Sequence, residues 1–208
     1  MPTTDLERTL PHLGPVVQDM VVLQLLSGAR PGEICDLRPT DLDRSTVVWE
    51  YRPASHKLEH HGKHRVVYFG KQAQEILAKY LDGRPVEAHC FSPIESEARR
   101  LTERNAARKT PLSCGNRAGS KRSAAPKRQP GGRYTVGSYR RAIDRACRRG
   151  GVTPWAPNRL RHSRATELRK LFGIEAVRTV LGHSRLSTSE IYAERDLAEA
   201  RRIMGEVG

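Results

Sequence analysis

WAPNRLRHSRATELRKLFGIEAVRTVLGHSRLSTSEIY, residues 155–192, reads as three successive helices separated by Gly173 and Gly182. Pro157 stands where a helix begins, because a missing N–H and a fixed φ cost nothing in a first turn. Asn158 and Arg161 share that turn and, three apart, one face. Down the same face Ala165, Leu168 and Phe172 make an apolar stripe, so Arg161 is expected to point inward at the top of a buried surface. Gly173 ends the helix. A second short helix, 174–181, stops at Gly182, and Ser187 with Glu190 forms a capping box that opens a third helix, which carries Tyr192. An arginine held inward at a helix N-terminus favours an anion twice over, through its guanidinium and through the free backbone N–H groups.

Working outward, residues 1–12 carry little signal beyond a polar start. Residues 13–26 are apolar nearly all round and predict a buried helix closed by Gly28. Arg30 follows, pinned between that glycine stop and Pro31, which starts a short helix over 33–37. From 45 to 69 the pattern turns to strands, STVVWEY, SHKLEH and HRVVYF, with His61 and Gly62 turning between the last two. Lys57 falls on the middle strand and Lys63 just after the turn. The histidines His56, His60, His61 and His64 lack carboxylate or cysteine partners in register, and a solvated basic hairpin explains them better than a metal site.

Further helices are predicted over 71–81, with Ala73, Ile76, Leu77 and Tyr80 on one side, and over 95–108. Residues 109–133, rich in Lys, Arg, Pro, Gly and Ser, bury too little to hold themselves folded and predict a long basic loop, disordered without its partner. Lys121, Arg122, Lys127 and Arg128 lie in it. Over 136–149 a helix turns Tyr139, Ile143 and Ala146 inward and Arg140, Arg141, Arg145, Arg148 and Arg149 outward, a face suited to a phosphate backbone. Residues 196–204 predict a short amphipathic C-terminal helix.

The formal charge of +14 points to a polyanionic partner, most simply nucleic acid. The longest apolar run, 20–26, is too short to span a membrane, and no signal peptide precedes it. Cys35, Cys90, Cys114 and Cys147 are scattered without CxxC spacing, against a disulfide framework or zinc site and in keeping with a reducing cytoplasm. Few aromatic residues and no stacking platform speak against an RNA-binding module. The length suits one domain over residues 1–208.

Ser-Gly-Ala-Arg30-Pro-Gly-Glu33, Arg161, Leu-Gly-His183 and Tyr192 nine residues later occur in one order. That set resembles the catalytic domain of the tyrosine recombinases, the phage integrase family, from about Val16 to the C-terminus. The resemblance implies an α+β, mainly α domain with a small three-stranded antiparallel sheet. It implies site-specific recombination, and cutting a phosphodiester with a side-chain hydroxyl needs an in-line nucleophile, cations around the phosphorus and an acid for the leaving oxygen. By resemblance Tyr192 attacks, leaving a 3′-phosphotyrosyl bond and a free 5′-hydroxyl. Arg30 and Arg161 grip the non-bridging oxygens, Lys57 protonates the 5′-oxygen and His183 hydrogen-bonds the phosphate. Glu33 orients Arg30, and Lys63 is the weaker candidate for the lysine's part. Neither metal nor ATP is called for. The expected partner is double-stranded DNA of a mobile element, bound by a homotetramer joined through the C-terminal helix, in the cytoplasm on the nucleoid.

Two departures stand out. The family pattern is His-x-x-Arg, and here Asn158 precedes Arg161, an amide that accepts no proton at neutral pH. His162, adjacent to Arg161, is expected to turn away as a structural histidine. Family members also carry an N-terminal core-binding domain, and almost nothing precedes the catalytic blocks here. A decayed recombinase that binds without cutting, and a type IB topoisomerase that relaxes supercoils as a monomer, are the competing readings.

Overall fold

A computed structural model describes residues 3–54, 65–111 and 130–182. Helix α2 (Pro15–Ser27) is its central pillar, packed against helices on several sides and against the sheet. Val16, Val17, Met20, Val21 and Leu23 are all buried, and a fully buried side chain of this kind stabilises by about 1.5–3 kcal/mol. Gly28 closes the helix at φ 65°, its N–H donating to the Gln24 carbonyl. A β-carbon there would meet Leu181 Cδ2 at 2.4 Å, so glycine is needed both for the left-handed turn and for the approach of a second helix end.

Before α2, α1 (Thr3–Thr9) and a 3₁₀ turn (Leu10–His12) fold over the end of α6 (Val136–Arg149). Trp155 Nε1 donates to Thr9 Oγ1 at 3.2 Å, and Arg8 donates to the Gly150 carbonyl at 2.9 Å. The polar start of the chain is therefore structured, through partners nearly 150 residues away that local pattern does not reveal.

Beyond α2, α3 (Pro31–Cys35) and a 3₁₀ turn (Pro39–Asp41) lead into a three-stranded antiparallel sheet. Its strands β1 (Leu42–Asp43), β2 (Trp49–Tyr51) and β3 (Val67–Phe69) lie in the order β1-β2-β3, with Leu42 opposite Tyr51 and Tyr51 opposite Val67. The three-stranded sheet agrees with expectation, and β2 and β3 fall within the first and third predicted strands, but β1 lies ahead of the predicted region. Residues 45–48 bend instead of extending, with Val47 92% exposed, and the expected middle strand falls within 55–64, outside the described residues. The first strand is instead the two-residue Leu42–Asp43, and Asp43 accepts from Ser45 to tighten the bend that follows. Tyr51 and Phe69 stack with ring centroids 6.1 Å apart on the buried side of the sheet.

Helix α4 (Lys71–Leu81) buries Ala73, Leu77 and Tyr80, as its period demands. Helix α5 (Pro93–Ala106), capped by Ser92, buries none of its side chains. Helix α6 opens with a Thr135–Ser138 capping box and buries Tyr139, Ile143, Ala146 and Cys147. Helix α7 (Asn158–Leu181) is two helices meeting at Gly173, whose φ 80° and ψ 178° are not helical. Ala165 and Leu168 before the break and Val177 and Leu181 after it form a second, smaller apolar cluster. Phe172 is the exception to the predicted stripe. It is 68% exposed, because the break at Gly173 passes the inward face from Leu168 to Val177.

Candidate active site

Arg30 occupies the N-cap of α3 in extended conformation, at the seam between α2 and α3. Its backbone N–H donates to Glu33 Oε2 at 2.7 Å and its Nη1 to Glu33 Oε1 at 2.8 Å. The carboxylate thus holds both the backbone and the fork of Arg30, whose side chain stays 31% exposed while that of Glu33 is 5% exposed. Burial alone would push the Glu33 carboxyl up, but Arg65 and Arg30 outweigh it and hold it below the usual carboxylate range. Tyr51 secures the same turn from the sheet, its hydroxyl donating to the Glu33 carbonyl at 2.9 Å.

Arg161, on the first turn of α7, is 4% exposed, inward as expected. Its Nη1 donates to the Gly28 carbonyl and its Nη2 to the Leu181 carbonyl, each at 2.7 Å. One planar fork therefore ties the C-terminal end of α2 to that of α7, where helix carbonyls lack intrahelical partners and helix dipoles favour a cation. Buried Gln24 completes the frame. Its Nε2 donates to the carbonyls of Ala29 (3.2 Å) and Pro157 (3.1 Å), and its Oε1 accepts from Tyr139 at 3.0 Å. The residue before Arg30 and the residue before Asn158 are held by one amide.

Asn158 is exposed, and its Nδ2 lies 3.1 Å from His162 Nε2. His162 therefore does not turn away from this face: i to i+4 spacing brings it onto Asn158. Burial, followed by Arg161 and other nearby positive charge, lowers its pKa, so the imidazole is neutral at neutral pH.

Arg65 is a site residue that the sequence pattern alone did not single out. It is 7% exposed, its Nε donates to Glu33 Oε1 at 3.3 Å and its Nη1 to the Val180 carbonyl at 3.2 Å. The signal was present in HRVVYF: with Val67 and Phe69 inward, period-2 alternation puts residue 65 inward as well, where an arginine needs partners.

On α6 the predicted arginines Arg140, Arg141 and Arg145 are exposed, with Arg140 3.9 Å from Asp144. Lys57, Lys63, Lys121, Arg122, Lys127, Arg128, His183 and Tyr192 lie outside the described residues, as do Cys114 and the hairpin histidines. The described cysteines are buried free thiols, and burial pushes Cys35 and Cys90 each up to about 12. Among the described residues no cluster of His, Cys, Asp and Glu is arranged to hold a metal, and no helix is long and apolar enough to cross a membrane. A cleft of about 1170 Å³ opens between the 3₁₀ turn at Leu10–His12, α5 and α6, and shares no residue with the arginine cluster.

Comparison with known proteins places this arrangement. The phage integrase family matches residues 14–199. Tyrosine recombinase XerC of Corynebacterium glutamicum is 32% identical over 183 residues, covering 85% of this chain and 46% of that protein. XerC of Thermodesulfovibrio yellowstonii is 28% identical over 186 residues, covering 88% and 52%. The chain thus spans about half the length of the curated relatives it matches. In fold it is similar to the crystal structure of XerA recombinase (TM-score 0.60, 18% identity, 99% of this chain and 62% of that one). It is also similar to a lambda integrase dimer bound to a core site (TM-score 0.58, 14% identity, 94% and 59%).

Proposed function

Because the chain belongs to the phage integrase family, we propose that it cleaves and rejoins double-stranded DNA in site-specific recombination, through a 3′-phosphotyrosyl bond to Tyr192. The observation that carries this reading is the pair of arginines at the turn between α2 and α3, Arg30 within it and locked by Glu33, and Arg161 held on the carbonyls of Gly28 and Leu181. A phosphodiester passing through a pentacovalent state gathers negative charge on its non-bridging oxygens. Preorganised guanidinium groups stabilise that charge without reorganising as it develops.

The tyrosines support the choice of nucleophile. Tyr51, Tyr80, Tyr134 and Tyr139 are buried, and burial pushes each phenol above its ordinary value, which disfavours the phenolate, while Tyr68, on β3, is exposed but stands in no family block. Tyr192 alone follows Leu-Gly-His183 at the family's interval. In this reading His183 hydrogen-bonds the scissile phosphate and Lys57 protonates the departing 5′-oxygen, Lys63 being the alternative. The exposed arginines of α6, with Lys121, Arg122, Lys127 and Arg128, hold the duplex backbone. Relatives and structural neighbours include a XerH recombinase bound to its difH substrate, which supports a DNA partner here. Assembly as a homotetramer through a C-terminal helix belongs to the same proposal, as does a single catalytic domain over the whole chain.

A second reading, a remnant that binds DNA without cutting it, has one observation in its favour: Asn158 stands where the family pattern has histidine. A nicked duplex carrying the recombination site, incubated with the protein in EDTA, separates the two. The proposal expects protein linked to the 3′ end and a 5′-hydroxyl on the other fragment. Salt-sensitive binding with no linked product favours the remnant.

A further inference from the structure

We propose that Arg65 is a positioning residue of this reaction, setting the Arg30–Glu33 pair against the chain that enters His183; the inference rests on the cleavage reading above. Two arms of the site meet at its guanidinium. Nε donates to the same Glu33 oxygen that accepts from Arg30 Nη1. Nη1 donates to the Val180 carbonyl, next to the Leu181 carbonyl that Arg161 holds, so two arginines grip successive carbonyls of the last turn of α7. A β-carbon on Gly182 would stand 3.0 Å from Arg65 Nη1, and Gly182, at φ 62°, is the residue before His183. In sequence Arg65 stands two residues before β3 and directly follows residues 55–64, which contain Lys57 and Lys63.

The energetics argue against a purely stabilising role. The Arg65 side chain is 5% exposed and its Nη2 is buried without a hydrogen-bond partner among the described residues. Burial pulls its pKa down while Glu33 pulls it up. A buried ion pair with one arm unsatisfied contributes less to folding than well-packed apolar residues of the same volume. What the guanidinium supplies, and an apolar side chain does not, is a planar fork that fixes a carboxylate and a helix-end carbonyl at once.

The test uses the 208-residue chain with Arg65→Met, Arg65→Lys, Glu33→Gln and the Glu33→Gln/Arg65→Met double variant. The readouts are thermal unfolding, duplex binding and single-turnover adduct formation on a nicked duplex. Arginine Nε–Hε NMR and hydrogen exchange at 180–182 are followed alongside. Arg65→Met is expected to bind the duplex within about threefold of wild type and to form adduct roughly 10²-fold more slowly, as a misplacement of about 1 Å does. Arg65→Lys keeps the charge without the fork and is expected to stay slow, and it stands in should the methionine variant not fold. In the Glu33→Gln background the Arg65→Met change adds less than about threefold, because the two act as one unit. Wild-type adduct rates per folded molecule in both Arg65 variants, or an undiminished Arg65 effect without Glu33, would overturn the inference. Should wild type itself form no adduct, the cleavage reading fails separately. The Arg30 Nε–Hε signal and exchange at 180–182 then decide: both shift in the Arg65 variants if Arg65 couples these arms, and both stay put if it does not.

Discussion

Asn158 is the residue at which this chain leaves its family's pattern, and its setting bears on how much that costs. The side-chain amide meets the neutral imidazole of His162, so the orientation of Asn158 is set from the next turn of its own helix. An amide so held can offer a hydrogen bond to a phosphate oxygen or to the tyrosine hydroxyl, but it cannot take the proton. General-base help contributes on the order of 10²-fold or more. Asn158→His is therefore expected to raise the single-turnover cleavage rate by roughly that factor while leaving duplex affinity unchanged, measured as adduct formed per unit time on a nicked duplex. Because the His162 pKa is lowered, its imidazole gains a proton only below the ordinary histidine range. Wild-type cleavage should stay flat through neutral pH and fall only on stronger acidification.

At the scale of elements, α6 divides its work between its two faces. Tyr139, Ile143, Ala146 and Cys147 attach it to the core, while Arg140, Arg141 and Arg145 stand in solvent. Replacing those three arginines by alanine takes positive charge from the face proposed to meet DNA without touching a buried residue. Affinity should fall alike for specific and unrelated duplexes, and the slope of log K against log salt should shrink by about 0.9 for each phosphate no longer neutralised, read from binding isotherms at several salt concentrations. The elements also show what was legible in the sequence and why. Helices α4 and α6 have the boundaries expected, because a 3.6-residue apolar period with a clean start and stop reports one buried face. Strand β1 was not legible, since two residues carry no alternation, and residues 45–48 look like strand by composition but bend in solvent. Helix α1 was hidden for a different reason: Thr9 and Arg8 are satisfied by Trp155 and the Gly150 turn, far along the chain.

Across the whole molecule, the fold gathers Arg30 from the N-cap of α3, Arg161 from the start of α7 and Arg65 from the residues just before β3 around Glu33, Gly28 and the last turn of α7. The first two were legible because glycine and proline punctuate them and each stands in a family block. Arg65 was obscured inside an apolar alternation, and Gln24 inside a helix that reads as apolar all round, where its links to Ala29, Pro157 and Tyr139 depend on tertiary packing. This cluster is proposed to serve a tyrosine nucleophile at residue 192. The most direct measurement is covalent trapping on nicked duplexes bearing the recombination site, comparing wild type with Tyr192→Phe and mapping the linked peptide by mass spectrometry. The expected outcome is a 3′-linked adduct in wild type whose DNA is attached to the peptide containing Tyr192, and none in Tyr192→Phe, with duplex binding equal in both. An adduct that persists in Tyr192→Phe, or that maps to another residue, would contradict it.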